Sequence, residues 1–457
     1  MSQRKRIIRF EEYAASGPVT EVIEVIEAKT ASSKPASRFT AAVSHKDNEA
    51  YLAAFDSDPR QPPARTTRRN SQSEASESKS EPVAMPALAT SLAKTTVDSC
   101  VREAWLRGPS DPAGRADSVS AQPLTCMSLS PDGSEVVVGS CDHALYGISL
   151  RKATKGKGGV RTLYSKTCGH GEWVTAVAHL PDGRVVSGGM DSKLCLWDAA
   201  NRCEDLTGHS GSISLVQTYA DNWIVSASYD KTYRLWDGAS GKRKTSRERH
   251  VLKGHDAAIL DFSIFGARLV GGDRSGNVLF FDLTQSTVEK KIKGAHAGHC
   301  TAVLGSCHAP ERAFSGGQDG ILRLWDIRTK GAVLELACHS GAHGTGAVSF
   351  IKDTASMEHV VVTGGADAKV QVIDVRAPAA PRATFVDHTT FVYSLHLHHD
   401  LCLSGSGSGM LLVHDLRTDA LCYGLGANQA AVRAIATTES QLVAAGDDGG
   451  VLVYAFP

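Results

Sequence analysis

The sequence is short of almost everything that would assign it to a specialised class at once. Its 457 residues contain no uninterrupted apolar run near the ~18–20 residues that a membrane span needs. The basic start, Met1-Ser2-Gln3-Arg4-Lys5-Arg6, is not followed by an apolar stretch, which argues against a secretory leader. There is no CxxC pair among 11 scattered cysteines. That odd number reads as reduced, mostly buried thiols in a reducing compartment, cytoplasmic or nuclear, and speaks against a disulfide framework and a zinc module. Charge of one sign is also missing, because 49 Lys+Arg cancel 49 Asp+Glu. No whole-molecule field therefore favours nucleic acid or an anionic membrane.

Glycine is nearly absent from residues 1–99, where Gly17 stands alone, and the same stretch has no Trp and no Cys. Its Ser71-Gln72-Ser73-Glu74-Ala75-Ser76-Glu77-Ser78-Lys79-Ser80 run is polar and of low complexity, and Pro59, Pro62 and Pro63 precede it. Such a segment cannot bury enough apolar surface to offset its conformational entropy, so 1–99 reads as a disordered arm. Residues 20–28 and 48–55 are the two pieces with enough apolar side chains to order on a partner.

From about residue 100 the composition changes, and with it the pattern. The phrase Gly169-His170, Trp173-Val174-Thr175-Ala176-Val177, Pro181-Asp182-Gly183, Ser187-Gly188-Gly189, Asp191, Trp197-Asp198 recurs with variation. Equivalent last positions fall at Ser149, Asp198, Asp237, Asp282, Asp326, Asp374, Asp415 and Ala455, spaced 49, 39, 45, 44, 48, 41 and 40 apart. Each unit holds short alternating runs rich in Val, Ile, Leu and Ser, separated by Gly and Asp, as expected of antiparallel strands with tight turns. A single four-stranded unit leaves both faces uncovered, and radial stacking covers them.

These Gly-His and Trp-Asp phrases resemble the WD40 repeat family over residues 100–457. The resemblance implies an all-β propeller of eight blades, or seven if the first copy is partly decorative. The last copy stops one strand short, and Trp105–Arg107, which looks like the outer strands preceding each Gly-His, is expected to complete it.

In this family a His, a Ser or Thr, an Asp and a Trp form a hydrogen-bonded chain inside one blade. The matching sets here are His170, Ser187, Asp191 and Trp197; His209, Ser226, Asp230 and Trp236; and His296, Ser315, Asp319 and Trp325. A Ser/His/Asp set invites a hydrolase reading, but three copies in register point to repeated structural use, whereas catalysis needs one site. Other copies are degenerate: His343, Thr363 and Asp367 with Ile373; His388 and Ser404 with Ser408 and His414; His255 with Gly271, Ser275 and Phe281.

Several further signals carry less. His396, His398 and His399 read as a solvent-facing cluster on a strand rather than as metal ligands, and Gly405–Gly409 as a hairpin turn. Basic runs at Arg151, Lys152, Lys155 and Lys157, at Lys242, Arg243, Lys244, Arg247 and Arg249, and at Lys290, Lys291 and Lys293 would gather on one face. They read as solubilising loops, or as a patch for phosphorylated or nucleic-acid partners. On that face Trp325-Asp326-Ile327-Arg328 is similar to the WDxR box of cullin-RING ubiquitin-ligase substrate receptors, which would imply docking of a propeller adaptor through Arg328.

On the opposite face, the residue before each turn Asp and the residue three after each His should be exposed near the channel. Those positions hold Met190, Tyr229, Arg274 and Gln318, and Trp173, His299 and Phe391. Large side chains at such places suit a peptide-binding surface. The expected function is therefore a non-enzymatic scaffold or adaptor, without cofactor or metal. It would be a monomeric propeller that holds proteins or peptides on its face inside a multiprotein complex. The ligase substrate receptor is the alternative.

Overall fold

A computed structural model describes residues 7–8, 101–151, 159–164, 168–220, 222–239, 247–340 and 347–457. The arm expected to be disordered lies outside the described residues. The exception is Ile7–Ile8, which pairs antiparallel with Gly424 and Leu425.

Eight antiparallel sheets form the described fold. Blades 1 to 7 run from Leu124 to Leu163, Val174 to Leu206, Ile213 to Lys253, Ile259 to Ile292, Cys300 to Ala337, Val348 to Phe385 and Val392 to Gly426. Blade 8 takes three strands from Val432 to Ala455. In each blade the first strand is innermost, and the eight inner strands touch in sequence, the last returning to the first. Eight blades, not seven, make the ring.

The blades hold together through the alternation that revealed them. Val225, Ala227 and Leu235 of blade 3 pack on Ile259, Phe262 and Leu269 of blade 4, and each junction around the ring carries a comparable cluster. Every inner strand also bulges after its first paired residue, at Val174/Ala176 and Cys300/Ala302 for example. The extra residue points a side chain sideways. Thr175 Oγ1 donates to the Ile213 carbonyl at 2.7 Å and Thr301 Oγ1 to the Val348 carbonyl at 2.5 Å, so in blades 2 and 5 the bulge residue pins the blade to the next.

Ring closure differs from the sequence expectation. The fourth strand of blade 8 is Arg115–Ser118, paired antiparallel from Arg115↔Val453 to Ser118↔Gly450. Trp105–Arg107 belongs instead to a helix over residues 101–107. Its residues suit that state: Glu103 and Arg107 pair at 3.0 Å across one turn, and Gly108 ends it with φ of 91°. A strand would place Arg102 and Ala104 on the face opposite Trp105. The helix instead sends Trp105 into the junction of blades 7 and 8. There the indole stacks on Phe456 at 3.9 Å and donates to the Glu439 carbonyl at 2.9 Å, while Arg102 bridges Asp400 and Asp415 at 3.0 and 2.8 Å.

Two further readings need correction. Cys168 and Cys203 form a disulfide, so the thiols are not all reduced in this structure. His396 and His398 share a face as alternation requires, but that face is not solvent. Both reach the Thr437 hydroxyl of blade 8, at 2.9 and 3.1 Å, and His398 lies 4.2 Å from the Trp105 ring. The inner position of the strand, not its composition, decides this.

Trp105 is fully buried, so Trp105→Ala leaves a cavity and an orphaned carbonyl at Glu439. The expected cost is about 3–5 kcal/mol, read as a lower urea midpoint; an unchanged midpoint would contradict the packing described.

Candidate functional site

The site is built from the inside of each blade outward. In blade 2, His170 Nδ1 lies 3.1 Å from Asp191 and Nε2 lies 2.8 Å from Ser187 Oγ, while Trp197 Nε1 donates to the same oxygen at 3.0 Å. Blade 3 repeats this with His209, Asp230, Ser226 and Trp236 at 2.7, 2.8 and 2.9 Å. Blade 5 does so with His296, Asp319, Ser315 and Trp325 at 3.0, 2.7 and 2.7 Å. With the imidazole proton on Nδ1, the ring donates to the carboxylate and accepts from the hydroxyl, and every polar atom has a partner. Ser187, Ser226 and Ser315 are fully buried, so no substrate reaches them as nucleophiles.

The same carboxylates act on the loop above. Asp191 accepts from the Gly171 N–H, Asp230 from Ser210 and Asp319 from Ala297, each the residue just after the histidine. Two residues further along these loops stand Trp173, Ser212 and His299. Backbone bonds then fix these loops to the residue before the turn Asp, or before the Ser that stands there in blades 4 and 7: Met190 N–H donates to the Trp173 carbonyl, Tyr229 to Ser212, Arg274 to Ala258, Gln318 to His299 and Gly407 to Phe391. All eight blades have the equivalent bond.

The predicted rim residues therefore fall into arcs. Ser212 Oγ donates to the Met190 carbonyl at 3.1 Å, linking Trp173, Met190 and Tyr229 across blades 2 and 3. Trp173 is 37% exposed, a large value for an indole. A second arc joins Arg274, His299 and Gln318, since the His299 ring bonds the Arg274 carbonyl. Phe391 stands apart in blade 7. It neighbours Tyr393, whose ring is covered by the Arg433 guanidinium at 4.4 Å, and Arg433 pairs with Asp447 at 2.7 Å. Tyr393 and Arg433 were missed in the sequence reading. They occupy the bulge position that is Thr125, Thr175 and Thr301 elsewhere, so an outsized residue there was the available signal.

Comparison with known proteins agrees with this geometry. The WD40 profile (WD domain, G-beta repeat) matches residues 161–198, 201–237 and 290–326. The chain carries WD40 repeats in an eight-bladed β-propeller. The GATOR2 complex protein WDR24 of Xenopus laevis is 28% identical over 186 residues, covering 37% of this chain and 23% of that protein. The ribosome biogenesis protein WDR12 homolog of Arabidopsis thaliana is 27% identical over 297 residues, covering 54% and 65%. Human diphthine methyltransferase is 36% identical over 142 residues, 30% of each chain. The chain thus spans less than two thirds of the length of these relatives. Among solved structures, Saccharomyces cerevisiae Sqt1 superposes with a TM-score of 0.64 at 13% identity, over 75% of this chain and 98% of that one.

The degenerate blades of this WD40 propeller rebuild the network with other residues, in blade 4 with one from the neighbouring blade. In blade 6 the histidine is His339, bonded to Asp367 and Thr363 at 2.9 Å each; the expected His343 lies outside the described residues. In blade 4 the acid is Asp273, 2.9 Å from His255, not the position of Ser275. The missing hydroxyl at Gly271 is supplied by Tyr233 of blade 3, which reaches His255 Nε2 at 3.1 Å and fills the space a Cβ at 271 would occupy. In blade 7 His388 bonds Ser404 at 2.7 Å, and His414 turns to Asp387 at 3.0 Å while stacking on Phe385. Blade 8 uses Asn428, which donates to Asp448 at 2.7 Å.

On the opposite face, Arg328 is 63% exposed in its side chain and clasps Asp326 through two bonds of 2.9 and 2.6 Å, with Glu311 at 3.2 Å. Arg376 clasps Asp374 in the same way in blade 6. The basic runs do not gather as a free patch among the described residues. Arg247 is buried against Glu204, Arg249 pairs with Asp237, Lys290 donates to the Asp326 carbonyl and Lys291 pairs with Asp256. Lys152, Lys155, Lys157, Lys242, Arg243 and Lys244 lie outside the described residues.

These environments set a pH profile. Burial pushes His388, His396 and His398 down to about 4 from an ordinary 6.5. Burial raises the Asp230 carboxyl, but the hydrogen bonds from His209, Thr232 and the Ser210 N–H outweigh it and hold the group at about 2. Both kinds of group are depressed on folding, so each stabilises above its unfolded value and the gain is lost as pH falls through its folded value. The melting temperature should fall first between pH about 6.5 and 4 as the histidines charge, and fall again below about 4 as carboxylates protonate. His398→Gln should flatten the first limb; a melting temperature constant from pH 7 to 4.5 would contradict the burial of these rings.

Proposed function

We propose that this chain is a non-enzymatic scaffold that presents its rim to a peptide segment of a protein partner within a multiprotein complex. The observation that carries the reading is the first arc: an exposed indole, a thioether and a phenol, from Trp173, Met190 and Tyr229, held side by side by backbone bonds. Aromatic side chains kept rigid at a surface dominate interface energies, because little rotamer freedom remains to be lost on binding. The adjacent Arg274 and His299 offer the polar partners that a bound backbone needs. Two of the relatives carry names that place them in a complex or in ribosome biogenesis, which supports the same class of role. Ligase-receptor docking through Arg328 is the second reading. Against it stands the equivalent clasp of Arg376 on Asp374, which suits a role in the turn itself.

The test is quantitative co-purification of wild type, Trp173→Ala/Tyr229→Ala and Arg328→Ala chains. The double variant should lose its partners by at least ~30-fold, the equivalent of a ≥2 kcal/mol hot spot, with the melting temperature unchanged. The Arg328 variant should retain them. Full retention by the double variant contradicts the proposal; selective loss of a propeller adaptor with Arg328→Ala favours the second reading.

A further inference from the structure

Blade 2 carries a second cluster, on its outer edge, that neither the buried network nor the rim uses. Cys203 and Asp205 are alternate residues of the outer strand Cys203–Leu206 and therefore face the same side. Cys195 lies directly across from Asp205 on the third strand, in the register Asp205↔Cys195, so its side chain joins them. Cys168 is brought over by the segment that leads into Gly169-His170, with its Cα 5.9 Å from that of Cys203. One carboxylate oxygen, Asp205 Oδ1, lies 3.0 Å from Cys168 Sγ, 3.4 Å from Cys195 Sγ and 3.6 Å from Cys203 Sγ. The Cys168, Cys203 and Asp205 donor atoms all lie within 4.8 Å of one another. These three residues are half-buried, so the cluster is open to an ion from solvent.

A disulfide alone does not account for this convergence. A bridged sulfur has no proton to give, so in the oxidised state Asp205 Oδ1 faces two sulfurs that cannot donate to it. Its remaining company is the Cys195 thiol and Lys193 Nζ, which lies 3.6 Å from the other carboxylate oxygen. Two sulfur donors and one carboxylate oxygen gathered within 4.8 Å of one another, with the Cys195 sulfur on the far side of that oxygen, supply the donor types that a thiophilic, four-coordinate divalent cation takes. Lys193 then offsets part of the excess negative charge of three thiolates and a carboxylate.

We propose that the reduced chain binds one zinc-like divalent cation at Cys168, Cys203 and Asp205, with Cys195 as the fourth donor. The Cys168–Cys203 disulfide is the oxidised, cation-free state of the same site. Reduction by a phosphine breaks the S–S bond, yields two thiols with protons from water, and leaves the phosphine as its oxide. The cation then displaces the thiol protons into solvent as the S–metal bonds form. Bound, it would tie the segment entering blade 2 to the outer strand of that blade, next to the loop that carries Trp173.

Cobalt(II) is the probe, because thiolate ligation gives it a near-ultraviolet charge-transfer band and four-coordination gives strong visible bands. The full chain, reduced with a phosphine and freed of metal, should take up one equivalent of cobalt with both features, and zinc should displace it. The oxidised chain should show neither. Cys203→Ser should abolish the charge-transfer signal of the site, and Asp205→Asn, which keeps the shape of the strand, should weaken binding at least ~10–100-fold. Cys307→Ser, at an exposed cysteine elsewhere, should change nothing. Circular dichroism of each variant reports the fold independently of the metal. A reduced wild-type chain without a thiolate–cobalt band, or a folded Cys203→Ser chain with an unchanged spectrum, would overturn the proposal and leave a disulfide as the sole use of these cysteines.

Discussion

Closure is the constraint on which the structure depends. A four-stranded blade has two apolar faces, and neither Val225, Ala227 and Leu235 on one blade nor Ile259, Phe262 and Leu269 on the next is covered unless the two meet. Stacking solves this for every blade except those at the two ends of the row, and a ring has no ends. The strand Arg115–Ser118 comes from before the first blade and is zipped onto the last, which joins the two ends of the propeller through four paired residues. Trp105, seated between Phe456 and His398, fills the adjoining junction of blades 7 and 8. The oldest problem of a β-sheet, its open edge, is handled by making the first and last segments one sheet.

From closure follows the connection between interior and surface. The turn carboxylate of each intact blade accepts from the buried imidazole on one side and from a loop N–H on the other, so a network that stabilises the core also sets the height of the rim. The bulges do the same for the channel-facing side chains. Where a blade has lost a member of the network, another residue supplies the function: Tyr233 lends its hydroxyl across from blade 3 to His255, and Asp387 of the same blade partners the histidine that stands in for a tryptophan. Loss of the sequence signature therefore does not mean loss of the constraint. The rim can vary in chemistry from Trp173 to Phe391 because its backbone is held by bonds that do not depend on side chains.

How much of this was legible follows from the range of each interaction. The eight units could be read because their markers, Gly-His, the turn Asp and Trp-Asp, repeat within a few tens of residues and bind within their own blade. The places where the reading failed are those where the deciding contact is remote. Trp105 resembles an outer-strand residue until Phe456 and Glu439 claim it for a helix. His339 and His343 flank a glycine-containing insertion that shifts the spacing, and only the position of Asp367 separates them. Cys168 and Cys203 are 35 residues apart with no motif to join them, and only the fold brings them together. His396 and His398 carry no sign in their own strand that Thr437 of the following blade will bury them.

Native-state hydrogen exchange with and without Asp117→Pro addresses closure most directly. Val119 N–H donates to the Gly449 carbonyl, and continuing that register places the Asp117 N–H on the ladder to Val451, so proline there deletes one rung. If the ring is one cooperative unit, protection should fall by a similar factor in blade 8 and in the distant inner strand Ile259–Phe265. Loss confined to Gly450–Ala455, with Ile259–Phe265 exchanging as in wild type, would contradict the account.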